Sequence, residues 1–173
     1  MNPLESRVLV ENSDGSLGPL LRVADDRLAP GAGYGTHEHR ALDVVAVVLA
    51  GSLRHRWAGG AELAAGDVAV LRAGTGLAHD EVAGDGGARV LQCHLRTADP
   101  SAPPSHEVVR SAAGWVELGR PDARLWLGPG PAPEGLRLVV GTEPATVGGA
   151  GGPAVVWQLD SGRPAWADAA WES

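Results

Sequence analysis

Short apolar runs that alternate with glycine and proline turns restrict the fold of this chain more than any other sequence feature. The 173 residues include 25 glycines and 13 prolines, which leaves little room for a long helix. The run 42–49 is rich in β-branched residues and stops at Ala50-Gly51. We therefore predict an all-β sandwich or barrel. Its first strands are predicted at residues 7–10, 20–24, 42–49, 52–57, 67–71 and 89–96.

A proline-rich stretch at residues 98–105 predicts a boundary in the chain. Residues 1–100 are expected to form one β-domain and residues 101–173 a smaller β-rich segment packed on it. The chain has six tryptophans and no phenylalanine, and most of the tryptophans follow the break. We expect these side chains to fill the core of the second segment: Trp115, Trp126, Trp157, Trp166 and Trp171. Strands are predicted there at residues 115–118, 124–127, 136–140 and 155–159.

Charge and cysteine content exclude several classes of function. The formal charge is −7, and the 14 basic residues are scattered arginines, which argues against direct nucleic-acid binding because phosphate neutralisation needs clustered cations. Cys93 is the only cysteine, so an intramolecular disulfide is excluded. No signal-peptide pattern and no apolar run of about 18 residues is visible. A cytoplasmic protein without a membrane segment is expected.

Two short strings carry side chains that can bind a metal ion. His37 and His39 form one pair at spacing i, i+2, and His79 and Glu81 form another. Residues two apart on a strand point to the same face, so the four side chains could converge. Three imidazoles and one carboxylate suit a divalent transition metal with open positions for small ligands. Fe(II) is the ion we expect, with Ni, Mn, Cu, Co and Zn as alternatives.

Three more polar side chains are candidates for supporting such a site or lining its pocket. His55 alternates with Leu53 and Trp57 along one strand, which places it either inside a barrel or on its outer surface. Gln92 and His94 share one face of a later strand. His106 follows the proline-rich stretch and is expected to be solvated.

A series of short motifs follows in a fixed order along residues 20–110. They are His37-Glu38-His39-Arg40 with Asp43, Leu53-Arg54-His55-Arg56, Gly66-Asp67-Val68, Ala73-Gly74-Thr75-Gly76 and His79-Asp80-Glu81. This series resembles the two motifs of the cupin superfamily and, in order and spacing, those of the pirin family within it. The resemblance implies a jelly-roll cupin barrel over residues 1–100. It also implies that His37, His39, His79 and Glu81 hold the metal.

The chain departs from the pirin pattern in three places. Glu38 replaces the proline between the first two histidines, and Asp43 replaces a glutamate that does not bind metal in that family. Pirins usually have two complete barrels, whereas residues 101–173 contain no His-x-His string. The second segment is therefore expected to be a reduced, degenerate cupin.

The resemblance implies an oxidoreductase, because several bacterial pirin-like proteins are regarded as quercetin 2,3-dioxygenases. On this interpretation the partners are O2 and a small flavonol or related enol or phenol, and Glu81 also acts catalytically by accepting a proton. One alternative is a non-catalytic, iron-dependent redox sensor that binds a regulatory protein, and another is a metal-free cupin. No sequence feature decides whether the protein forms a homodimer.

Overall fold

The computed structural model describes residues 3–161, and the regular structure within this range is entirely β-strand. The first ten strands are β1 (Leu4–Glu11), β2 (Leu20–Leu28), β3 (His37–His39), β4 (Leu42–Arg56), β5 (Ala61–Ala64), β6 (Val68–Arg72), β7 (Leu77–Arg96), β8 (Ser105–Val109), β9 (Gly114–Val116) and β10 (Ala123–Gly128). The last three are β11 (Leu136–Val139), β12 (Thr146–Val147) and β13 (Ala154–Leu159). Residues 3–161 contain no helix of the length and apolarity that a membrane span requires.

The strands form two antiparallel sheets, which confirms the predicted all-β class. The first sheet has the order β1-β2-β7-β4-β6-β8, with β3 paired to β7 and β5 paired to β4. The second has the order β12-β11-β13-β10-β9. Strand β8 lies beyond residue 100 but pairs with β6 of the first sheet. The division of the chain at residue 100 stays a prediction.

The first half of β4, residues 42–49, is apolar at every position except Asp43. Val45 and Val47 belong to a core that also contains Leu125 and Trp157 of the second sheet. Ala46 points the other way, into a separate apolar cluster of the first sheet. Both faces of β4 are therefore covered, and a strand covered on both faces loses the usual alternation of apolar and polar residues.

Strand β7 bends sharply, and this bend brings distant parts of the chain together. Residues eleven apart in a straight strand lie roughly 36 Å apart. Yet the amide nitrogen of Gln92 lies 2.9 Å from a carboxylate oxygen of Glu81, eleven residues away on β7. The bend passes through Gly84, Gly86 and Gly87, and glycines inside strands commonly mark such turns. Close backbone contact also fixes the bend, because a Cβ on Gly51 would lie 2.0 Å from the Gly87 carbonyl oxygen.

Two buried ion pairs lie where the sheets meet; Arg89 and Asp25 both belong to the first sheet and contact backbone groups of residues 140–145, between β11 and β12. Arg120, which precedes β10, donates to the Asp43 carboxylate at 2.8 Å, and both side chains are about 95% buried. Arg89 on β7 donates to the Asp25 carboxylate at 2.8 Å, and Asp25 also accepts the backbone N–H of Ala145. These contacts hold the second sheet against the outer face of the first.

Several strand boundaries differ from the predictions. The two strands predicted at 42–49 and 52–57 are one strand, β4, which continues through Ala50-Gly51 by irregular pairing on both sides of Ala50. Strand β7 begins at Leu77, well before the predicted start at residue 89, because a glycine-rich segment that looked like a turn is a bend within a paired strand.

The tryptophans only partly fill the core. Trp157 is fully buried between the sheets, as predicted. Trp115 is 43% exposed, and the Arg124 guanidinium lies 4.0 Å above its ring. The positions predicted for Trp166 and Trp171 lie outside the described residues.

Candidate metal centre

Three of the four predicted ligands meet on neighbouring strands. Strand β3 pairs with β7 in a register that sets His37 directly opposite His79, and His39 lies two residues further along β3. The ligand nitrogens of these three histidines all lie within 4.8 Å of one another. Within residues 3–161 they are the one group of three His, Cys, Asp or Glu side chains with this spacing.

The geometry of the imidazoles fits a metal ion. The Nδ1 of His37 lies 2.7 Å from the carbonyl oxygen of Gly35, which can only accept, so the proton sits on Nδ1 and leaves Nε2 free as a ligand. The Nε2 atoms of His37 and His79 are 3.0 Å apart. Two nitrogens that bind one metal at about 2.0–2.1 Å come about this close. The buried Nδ1 of His79 has no hydrogen-bond partner among the described residues.

The ionisation of these histidines favours metal binding. Burial, with smaller contributions from the neighbouring His37 and His39, lowers the pKa of His79 to about 4 against the opposing effect of Glu81. Burial and the neighbouring His37 also lower the pKa of His39. Neutral imidazoles at neutral pH can donate a lone pair without first losing a proton.

Glu81 lies beside the three histidines but outside the 4.8 Å group. The Gln92 amide donates to both carboxylate oxygens, at 3.0 and 2.9 Å. The Nε2 of His55 lies 2.6 Å from Oε1. Burial raises the pKa of Glu81, but its contacts with His55 and Gln92 outweigh burial and lower the pKa overall. The role of Glu81 as fourth ligand stays a prediction.

A cavity of about 230 Å³ opens beside the three histidines. We call it the metal cavity, and its lining is Arg22, Asp26, Tyr34, His37, His39, Val44, Glu81, Gln92 and His94. Gln92 and His94, which were candidates for lining a pocket, therefore face the metal cavity. Their neighbour Cys93 points into the core between the sheets.

Sequence reasoning missed three lining residues: Arg22, Asp26 and Tyr34. Asp26 is 1% exposed and accepts hydrogen bonds from the Tyr34 hydroxyl, at 2.8 Å, and from the Ser6 hydroxyl. Burial raises the pKa of Asp26 despite these bonds. The strand predicted at residues 20–24 ends two residues before Asp26, whereas β2 continues to Leu28.

His55 and His106 form a chain of contacts behind Glu81. His55 is 2% exposed inside the barrel, directly across from Glu81 in the pairing of β4 with β7. Its Nδ1 lies 2.9 Å from the Nε2 of His106. The expectation that His106 is solvated was wrong, because β8 pairs with β6 and carries it against the barrel as a half-buried residue.

The metal-free protein is expected to lose stability as the pH falls from about 6.5 to about 4. Burial lowers the pKa of His79, His94 and His106 to about 4 each. In this window the unfolded chain binds protons that the folded chain excludes, so protonation favours unfolding. The measurement is the urea midpoint at several pH values, with His106→Gln as a variant whose midpoint should depend less on pH. A midpoint that stays constant across the window would contradict this assignment.

Comparison with protein families agrees with this geometry. The sequence model of the family described as Pirin matches residues 10–95, which include every predicted ligand. The chain belongs to the pirin family. The matched region also carries His55 and Gln92, which contact Glu81, and His94, which lines the metal cavity.

Curated relatives of this pirin match over a short segment. The quercetin 2,3-dioxygenase of Escherichia coli K12 is 34% identical over 61 residues, which cover 34% of this chain and 26% of that protein. A Zymomonas mobilis relative that carries the same name provisionally is 42% identical over 59 residues, or 33% of this chain and 25% of that protein. The matched segment thus spans about a quarter of the length of these relatives.

Solved structures share the fold of this pirin over most of its length. The bacterial pirin YhhW from Escherichia coli, in complex with nickel(II), has a TM-score of 0.66 at 18% identity over 93% of this chain and 85% of that chain. A quercetin 2,3-dioxygenase from Acinetobacter baumannii has a TM-score of 0.58 at 15% identity over 90% of this chain and 74% of that chain. At these identities the likeness establishes the fold alone.

Proposed function

We propose that this pirin is a metal-dependent dioxygenase, with iron as its ion, that acts on a small flavonol or related enol or phenol. One observation carries the proposal: the nitrogens of three imidazoles converge, and two of these histidines, His37 and His39, line a cavity large enough to admit part of a small molecule. The similarity to proteins named quercetin 2,3-dioxygenase supports the reaction class.

The residues divide into those that hold the ion and those that hold Glu81. His37, His39 and His79 would supply three nitrogens to it. The Oε1 atom of Glu81 has two close contacts, with Gln92 and His55, whereas Oε2 has one and keeps acceptor capacity for a fourth bond. When bound, the ion would act as a Lewis acid that lowers the pKa of a substrate hydroxyl.

Asp26 is a second candidate for accepting the substrate proton. The proton acceptor predicted from the sequence is Glu81, but its lowered pKa makes it a weak base. Asp26 lines the same cavity, and burial raises its pKa. A base whose pKa lies closer to neutrality transfers protons more effectively. Asp26→Asn is therefore expected to slow turnover more than it weakens binding of the substrate.

Oxygen uptake tests the proposed reaction. Protein loaded anaerobically with Fe(II) is mixed with the flavonol quercetin in oxygenated buffer, and uptake is compared with that of the same concentration of free iron. We expect uptake above free iron, and His79→Gln should reduce it to the free-iron rate. Protein that retains bound iron but consumes no oxygen with a flavonol or a simple catechol would reject the dioxygenase.

The main alternative is an iron-dependent redox sensor. A sensor needs no access for a substrate, whereas the metal cavity adjoins a larger open cavity through two shared residues, Arg22 and His94. This access favours catalysis. The cytoplasmic location, a homodimer and a regulatory protein partner stay predictions, and stoichiometric metal in untagged protein would reject the metal-free alternative.

A further inference from the structure

Arg22 stands at the junction of two cavities. It lines the metal cavity of about 230 Å³ and also an outer cavity of about 620 Å³. Strand pairing places it directly opposite His94, the other residue that the two cavities share. Ligand pockets usually begin at about 300 Å³, so a typical ligand bound beside His37 and His39 would fill more than the metal cavity and have room beside Arg22 in the outer cavity.

The guanidinium of Arg22 makes no direct contact with a carboxylate within residues 3–161, although it lies near enough to Asp26 to oppose the rise in the pKa of that carboxyl. It is half-buried, yet it forms no ion pair and no hydrogen bond there. Its cross-strand neighbour on β1 is Glu11, which does not pair with it. Arg89 and Arg120, in contrast, each hold a carboxylate at 2.8 Å. A half-buried cation without a partner is a candidate for binding an anion from outside.

With a divalent ion bound, the net charge around the metal cavity also favours an anionic ligand. Its charged lining residues are Arg22, Asp26 and Glu81, so the cavity carries one net negative charge when the histidines are neutral and both acids are ionised. A divalent ion at the three histidines would reverse this to one net positive charge. An anion that enters beside Arg22 would then neutralise the site.

We propose that Arg22 is a substrate-anchoring residue and that the substrate is an enol or phenol bearing a carboxylate. The inference rests on the proposed function, because it places the hydroxyl end of that substrate at the metal. A guanidinium binds a carboxylate through two parallel N–H···O bonds, which fixes both the position and the orientation of the ligand. His94 faces the same passage and would contact the body of the ligand.

A matched pair of ligands tests the anchor. 3,4-Dihydroxyphenylacetate and 4-methylcatechol share the catechol group and differ in the carboxylate. Their dissociation constants are measured by calorimetry on nickel-loaded protein without oxygen. We expect the carboxylate to tighten binding about tenfold, as a charge-assisted pair would.

Three variants test whether Arg22 causes the tighter binding of the ligand that bears a carboxylate. Arg22→Gln should reduce the affinity ratio to about one, and Arg22→Lys should retain part of it, since it keeps the charge but not the planar fork. Arg7→Gln is the matched control, because it removes the same charge from an exposed position on β1 and should keep the full ratio. Equal affinities in the wild type, no binding of either ligand, or a ratio that survives Arg22→Gln would overturn the proposal. Since this test involves no turnover, a failure to consume oxygen would reject the dioxygenase and leave the anion site standing.

Discussion

His79→Gln is expected to abolish stoichiometric metal binding. His79 is 2% exposed, lies directly across from His37 and provides one of the three converging nitrogens. Removing one of three or four ligands leaves too few bonds to offset dehydration of the ion, so occupancy should fall at least about tenfold. Elemental analysis of untagged protein after dialysis against a limiting concentration of the ion measures this loss.

Asp80→Asn is the control for this substitution. Asp80 lies between His79 and Glu81, and its Oδ1 accepts the backbone N–H of Glu81, a bond that asparagine can retain. The variant removes a negative charge beside the site without removing a predicted ligand, and its occupancy should match that of the wild type. If His79→Gln folds and binds one ion per chain, the assigned centre is wrong.

Arg120→Met is expected to lower the free energy of unfolding by about 3–5 kcal/mol, because it leaves the carboxylate of Asp43 buried without its cation. Asp43 and Arg120 are both about 95% buried where the second sheet meets the first. Burial raises the pKa of Asp43, and Arg120 opposes that rise. Urea denaturation at neutral pH measures the loss.

Two further variants distinguish the effect of breaking the buried ion pair on stability from the effect of removing any positive charge. Arg54→Met removes an exposed partner of Glu62 and should leave the urea midpoint nearly unchanged. Asp43→Leu combined with Arg120→Met removes both charges and should recover a large part of the loss, since apolar replacements of buried ion pairs are often tolerated. A loss below about 1 kcal/mol in Arg120→Met would show that this pair does not lock the two sheets.

The sequence was sufficient for the parts of the site that depend on local spacing. His37, His39 and His79 follow from alternation along strands and from motif order. The bend in β7 depends on closure of the barrel, so the contact between Glu81 and Gln92 could not be predicted from either residue's neighbours. His106 looked solvated because it follows prolines, and only long-range pairing of β8 with β6 buries it.

The same limit explains the missed residues of the metal cavity. Asp26 lies on β2 beyond the predicted strand end at residue 24, and Arg22 lies within the predicted strand but was not linked to the site. In the structure Asp25 points toward Arg89 and the second sheet, whereas Asp26 points toward the metal cavity. Covering both faces of one strand with polar partners is a tertiary arrangement that no local pattern reveals.

Anomalous diffraction from crystals of nickel-loaded protein shows where the ion binds. We expect one strong peak per chain, about 2.0–2.2 Å from a nitrogen of each of His37, His39 and His79. The same map would show whether Glu81 turns its Oε2 toward the ion or keeps its contacts with Gln92 and His55. A fully loaded crystal with no peak among the three histidines, or with its peak elsewhere, would show that they are not the metal site.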